Sequence, residues 1–132
     1  MARDIDAFAG FIAGRSAMPF AWGRKANDCV GFILAGIMAQ TGQDPLPDVT
    51  WTTERGAARV IRQLGGLETA LDQRLRPILP ALAQRGDVAG VFDHRFGVSL
   101  LFVEGLSLVG PGGRGLKRLP RSTMTKAWSI DV

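Results

Sequence analysis

Apolar residues recur every three or four positions along the first half of the chain, then gather into short runs along the second. Between Asp4 and Ser16, the residues Ile5, Phe8, Phe11 and Ile12 fall at helical spacing behind Asp4, a pattern that predicts an N-capped helix. Pro19 ends that pattern, because the residue before a proline is pushed towards extended geometry. A second helix is expected to start at Asn27 or Asp28 and to run to Thr41. Val30, Ile33, Leu34, Ile37 and Met38 form one broad apolar face there, and Gly42 follows as a stop. So wide a face marks this helix as central. Asp44-Pro45-Leu46-Pro47-Asp48 is a loop. A third helix is predicted from about Thr53 to Leu64, capped by Thr52 or Thr53 and ended by Gly65-Gly66. A short fourth, Leu67 to Leu75, carries Leu67, Leu71 and Leu75 on one stripe. Pro77 and Pro80 confine Ile78 to Ala83 to a turn or a single helical turn.

After Gln84-Arg85-Gly86-Asp87 the period changes. Val88 to Phe92, Gly97 to Val103, Leu106 to Val109, Leu116 to Leu119 and Ala127 to Ile130 are short apolar runs separated by Gly, Pro, Asp and Ser. That punctuation predicts a meandering antiparallel sheet of about five strands, with Glu104-Gly105 as a tight hairpin turn and Gly110 to Gly115 as a glycine-rich loop. Helices first and strands second imply an α+β fold, a single domain over residues 1–132.

Composition narrows the classes. The chain has 132 residues, 46% hydrophobic and 21% charged, which disfavours disorder as its overall state. One cysteine excludes an internal disulfide, and one histidine leaves no ligand set for structural zinc, so no metal and no cofactor are expected. No apolar run approaches a membrane-spanning length, and the N-terminal segment lacks the basic start and apolar stretch of a secretory signal. A formal net charge of +4 is too modest to argue for a nucleic-acid partner. The cluster Arg114, Lys117, Arg118, Arg121 and Lys126 is expected to be a solvated sheet face. Gly110 to Gly115 lacks the Lys-Ser or Lys-Thr that a phosphate-binding loop needs. Trp22, Trp51 and Trp128 are expected in the core or at its rim.

Two residues carry candidate chemistry. Cys29 is expected in the first turn of the central helix, where unsatisfied amides and the helix dipole favour a thiolate. Arg24 and Lys25 would add positive potential there, and Asp28 opposes it. A free cysteine is also a common inert core residue. His94, in Asp93-His94-Arg95-Phe96-Gly97, is the only imidazole that could serve a cysteine nucleophile as base, although its polar neighbours equally suit an exposed turn.

Three segments then suggest a family. Pro19-Phe20-Ala21-Trp22-Gly23, Asn27-Asp28-Cys29-Val30-Gly31-Phe32 and Arg85-Gly86-Asp87-Val88-Ala89 resemble the NlpC-type branch of papain-like cysteine peptidases. Within it they look most like a short branch encoded in phage, prophage and gene-transfer-agent tail clusters. The ending Val109-Gly110-Pro111, Gly115-Leu116, Leu119-Pro120 and Ala127-Trp128-Ser129-Ile130 is similar to that branch's ending too. The resemblance implies a papain-like fold, with the cysteine-bearing helix packed on a C-terminal antiparallel sheet. In active members, a histidine directly before the second core strand and a third polar residue complete a site that cuts cell-wall peptides. Here Arg95 takes the histidine position before Phe96-Gly97-Val98-Ser99, and His94 falls one residue earlier. Glu104 and Ser107 stand near the third position.

Since a one-residue offset turns a side chain to the other face of a strand, the leading expectation is a non-catalytic structural or adaptor subunit of a phage tail tip. Such a subunit would be made in the host cytoplasm, carried in the virion, and bound to other tail-tip proteins of the hub and distal tail. The alternative is an active cysteine peptidase or amidase acting on peptidoglycan during infection, with Cys29 as nucleophile and His94 as base.

Overall fold

The computed structural model describes residues 3–131. Four helices precede the whole sheet: α1 (Ile5–Arg15), α2 (Cys29–Thr41), α3 (Glu54–Gln63) and α4 (Leu67–Arg74). The strands are β1 (Arg76–Ile78), β2 (Val88–Asp93), β3 (Gly97–Val103), β4 (Ser107–Gly112), β5 (Gly115–Pro120) and β6 (Lys126–Ser129). They form one six-stranded antiparallel sheet in the order β1-β6-β2-β3-β4-β5. The fold is α+β, as the pattern predicts.

The caps expected from sequence form. Asp4 accepts from the Ala7 amide at 2.9 Å, Thr53 from Gly56 at 3.0 Å, and Gly42 ends α2 in the left-handed region. Each supplies a partner to a backbone group that a helix end leaves open.

Two expectations need correction. The segment after Pro77 is not only a turn: Arg76–Ile78 pairs with Ala127–Ser129 as edge strand β1, and a 3-10 turn follows at Pro80–Leu82. An edge strand tolerates proline, since one side of its backbone needs no partner. The glycine-rich loop is also shorter than Gly110 to Gly115, since only Gly113 and Arg114 form the turn. Gly110 and Pro111 pair with Lys117 and Leu116, and the hairpin closes at Gly112 opposite Gly115. The glycines there disguised how far the two expected strands extend towards each other.

The core follows from α2 and β3. α2 is apolar nearly all round and buried on most of its surface, the pattern of a helix enclosed by its neighbours. Val98, Leu100 and Phe102 of β3 join the core cluster shared with α1 and α2, while Leu101 and Val103 join a second cluster with Leu108, Met124 and Ala127. β3 is thus apolar on both faces, which explains its unbroken apolar run. Phe102 meets Phe8 edge-on at 5.3 Å and Phe32 at 5.7 Å. Gly36 lets α2 come this close, because a Cβ there would lie 2.3 Å from the Phe102 ring.

An ion cluster, buried at Arg3 and Asp87 and exposed at Asp131, joins the two ends of the described chain. Arg3 Nη2 lies 2.7 Å from Asp87 and 2.9 Å from Asp131, and Arg3 also donates to the Arg85 carbonyl. Among the described residues, no helix is long and apolar enough to cross a membrane.

Candidate functional site at the start of the central helix

Asp28 organises the site. Its side chain is buried and accepts three hydrogen bonds: from the Gly31 amide at 2.7 Å, the Gly23 amide at 3.0 Å and the Trp51 indole Nε1 at 2.7 Å. One carboxylate therefore caps α2, pins the Gly23 turn and anchors a core tryptophan. Gly31 belongs to the same construction, since a Cβ there would stand 2.3 Å from the Arg24 carbonyl. Asn27 fixes the preceding segment by donating to the Met18 and Pro19 carbonyls and accepting from Arg15 at 2.8 Å.

Cys29 is the first residue of α2, as expected, and is half-buried. The expectation that this position favours a thiolate is not met. Burial pushes the thiol up to about 11. The facing Leu100 backbone amide offsets part of that rise, Asp28 adds to it, Lys117 works against it and Asp93 adds a little more. Nor does Arg24 supply positive potential. It is drawn into the loop between α2 and α3, where it bonds the Leu46 and Val49 carbonyls and pairs with Asp44. Burial of the Asp44 carboxyl favours its neutral form, but the Arg24 hydrogen bond prevails and holds it below the usual carboxylate value. Lys25 is exposed.

A cleft of about 380 Å³ opens beside Cys29. Phe20, Trp22, Phe96 and Val98 supply its apolar wall, and Asp93, His94, Arg95 and Lys117 its charged and polar rim. Cys29 and His94 thus line one cleft. Among the described residues, however, no hydrogen bond joins them. His94 is exposed and its ring rests on Phe92, centroids 4.9 Å apart. Asp93 bends the hairpin by accepting from the Arg95 and Phe96 amides at 2.6 and 3.3 Å. That tight turn carries His94 at its tip, outside the paired residues of β2 and β3. Arg95 lies over Trp22 at 5.7 Å and pairs with Glu54 of α3 at 2.5 Å.

The candidates for a third polar residue lie elsewhere: neither Glu104 nor Ser107 lines the cleft. Glu104 is paired with Arg118 at 2.8 Å, and that hydrogen bond holds its carboxyl below the usual value. Among the described residues, no three His, Cys, Asp or Glu side chains gather as a metal-binding group.

The basic cluster of the second half is largely engaged. Arg118 takes Glu104, Lys126 lies 3.8 Å from Glu68, and Arg121 donates to the Gly105, Pro80 and Ala83 carbonyls. Trp51 and Trp128 are core residues with their indoles bonded to Asp28 and Asp72, whereas Trp22 is a cleft wall. Sequence reasoning did not find the contributions of Phe20, Phe96 and Lys117. An aromatic Phe-Ala-Trp ahead of the helix was their one available signal, because the hairpin partners come from distant positions.

Together these features define an α+β domain whose central helix opens on a half-buried cysteine over an antiparallel sheet. The chain belongs to the family described as a domain of unknown function, DUF6950, which it matches over residues 3–130. Among curated proteins, none matches the chain.

Proposed function

We propose that the protein is a tail-tip component of a phage-type particle, a structural or adaptor subunit with an NlpC/papain-like fold and a cysteine site that does not catalyse. The order of the Asp28-Cys29, Arg85-Gly86-Asp87 and C-terminal motifs supports the family reading, as does a cysteine opening a central helix that packs on β3.

One observation carries the non-catalytic part. The only imidazole in the chain is exposed on Phe92 with no hydrogen bond to Cys29. A cysteine nucleophile needs either a base in reach or a lowered pKa. Cys29 has its thiol pushed up to about 11, so it stays protonated at neutral pH. The motif residues also have structural work that accounts for their presence: Asp28 holds the helix start and Asp87 holds Arg3.

A surface suited to assembly supports the adaptor part. Leu79, Leu82 and Leu106 are 68%, 65% and 91% exposed. Arg121 ties their two segments together, since its amide bonds the Leu106 carbonyl and its side chain the Pro80 and Ala83 carbonyls. Isolated exposed leucines are ordinary, but three on segments fixed to one another suit a contact surface.

The cleft shared by Cys29 and His94 favours the second reading, a peptidase acting on peptidoglycan. Substitution separates the two. In the tail-bearing particle, Cys29→Ala is expected to leave infectivity intact, and the purified protein is expected to release no soluble fragment from peptidoglycan. Loss of infectivity together with Cys29-dependent fragment release overturns the adaptor reading.

A further inference from the structure

The Cys29 cleft does not end at Phe96. A second cleft of about 620 Å³, lined by Thr53, Glu54, Arg55, Ala58, Arg95 and Phe96, adjoins it and shares Arg95 and Phe96 as a common wall. The two run from Lys117 on β5 to the first turn of α3.

The path carries three cations, Arg55, Arg95 and Lys117, against two acids. Of its two acids, Glu54 is paired with Arg95 at 2.5 Å, and Asp93 accepts from the Arg95 and Phe96 amides. Arg95 is committed in turn to Glu54 and Trp22. Lys117 at one end and Arg55 at the other are exposed, and neither takes part in an ion pair among the described residues. Between them lies an aromatic wall, with Phe20 edge-on to Trp22 at 5.0 Å and Trp22 edge-on to Phe96 at 6.5 Å. An apolar centre flanked by two free cations complements a chain that presents carboxylates on either side of an apolar side chain.

We propose that the two clefts joined at Arg95 and Phe96 form one groove that takes an extended acidic segment of a partner protein, with carboxylates at Lys117 and Arg55 and an apolar side chain against Trp22 and Phe96. The assignment rests on the adaptor reading and gives that subunit's partner a chemistry. Arg95 acts as a positioning residue, holding the common wall between Trp22 and α3.

The test uses a terminally blocked peptide of about ten residues alternating Glu and Leu, long enough to span about 30 Å when extended, and its Gln-Leu counterpart. Trp22 reports binding, because Trp51 and Trp128 are 6% and 0% exposed. The Glu-Leu peptide is expected to bind at least about tenfold more tightly than the Gln-Leu peptide and to weaken as salt rises. Lys117→Gln and Arg55→Gln are each expected to lower affinity about two- to fivefold, and Lys25→Gln, away from the groove, to leave it unchanged.

Equal binding of the two peptides, no binding of either, or an equal loss with Lys25→Gln overturns the groove while leaving the non-catalytic reading intact. Mass spectrometry of the bound peptide checks the other side. Cleavage that disappears in Cys29→Ala overturns the non-catalytic reading while the groove stands.

Discussion

Asp28→Ala is expected to lower the stability of the fold by about 3–5 kcal/mol, the cost of losing a helix cap and stranding buried donors. The buried carboxylate serves the Gly31 amide, the Gly23 amide and the Trp51 indole at once. Its removal leaves α2 uncapped and two further N–H groups without an acceptor in a region closed to water. Asparagine should recover the cap but turn an amide donor towards Trp51 and Gly23, so Asp28→Asn should fall between alanine and the native residue. Urea unfolding measures both. The midpoint should drop with an unchanged slope, and Trp51 emission should report the same transition. An Asp28→Ala variant as stable as the native chain would remove the structural explanation of the Asp28-Cys29 motif.

The second large effect is at Arg3. Asp87 has 2% of its side chain exposed and faces Arg3 at 2.7 Å, with further hydrogen bonds from the Gln84 and Ile130 amides at 2.7 and 3.4 Å. Arg3→Ala strands that carboxylate and should cost about 3 kcal/mol or more, as breaking a buried pair from one side does. Arg3→Lys should recover part of this, because it keeps the charge but not the two-pronged contact that Nε and Nη2 make with Asp131 at 3.1 and 2.9 Å.

The Arg3 hydrogen bond also holds the Asp131 carboxyl below its usual value of 3.8. A carboxyl lowered in the folded state stabilises the fold above its unfolded pKa, and that contribution is lost as pH falls through the folded value. Thermal unfolding from neutral pH down to strongly acidic solution should therefore show the native chain losing more stability than Arg3→Ala loses.

Local signals in the sequence were read well where one short segment decides the outcome. The caps at Asp4 and Thr53, the stop at Gly42 and the helix stripes depend on neighbours three or four residues away. β1 was missed because its existence depends on Ala127–Ser129, some fifty positions on, while its own three residues include a proline. Both strands of the β4–β5 hairpin were legible, but not their extension into Gly110–Gly112 and Gly115, because glycine and proline suit both a loop and a paired edge.

The site divides in the same way. Cys29 at the helix start was legible, since a cap residue precedes it and an apolar period follows. Its protonation was not, because burial beneath β3 outweighs the helix-start effect and no local pattern measures burial. Both the one-residue offset of His94 and its suitability for an exposed turn beside Asp93 were legible, because both depend on immediate neighbours. Arg24 read as free positive charge, and its capture by the Asp44–Val49 loop depends on a contact some twenty residues away.

The central claim, that Cys29 is a protonated structural thiol rather than a nucleophile, is tested most directly by its alkylation rate as a function of pH. Iodoacetamide reacts with the thiolate, so the rate follows the ionised fraction. The account predicts slow labelling at neutral pH, a rise with a midpoint of about 11, and no change in His94→Gln. The raised thiol also makes the fold most stable below the ordinary value of 9.0, with that contribution lost as pH rises towards about 11, so circular dichroism should accompany the titration. Rapid labelling with a midpoint at or below neutrality, abolished by His94→Gln, would contradict the account and restore the catalytic pair.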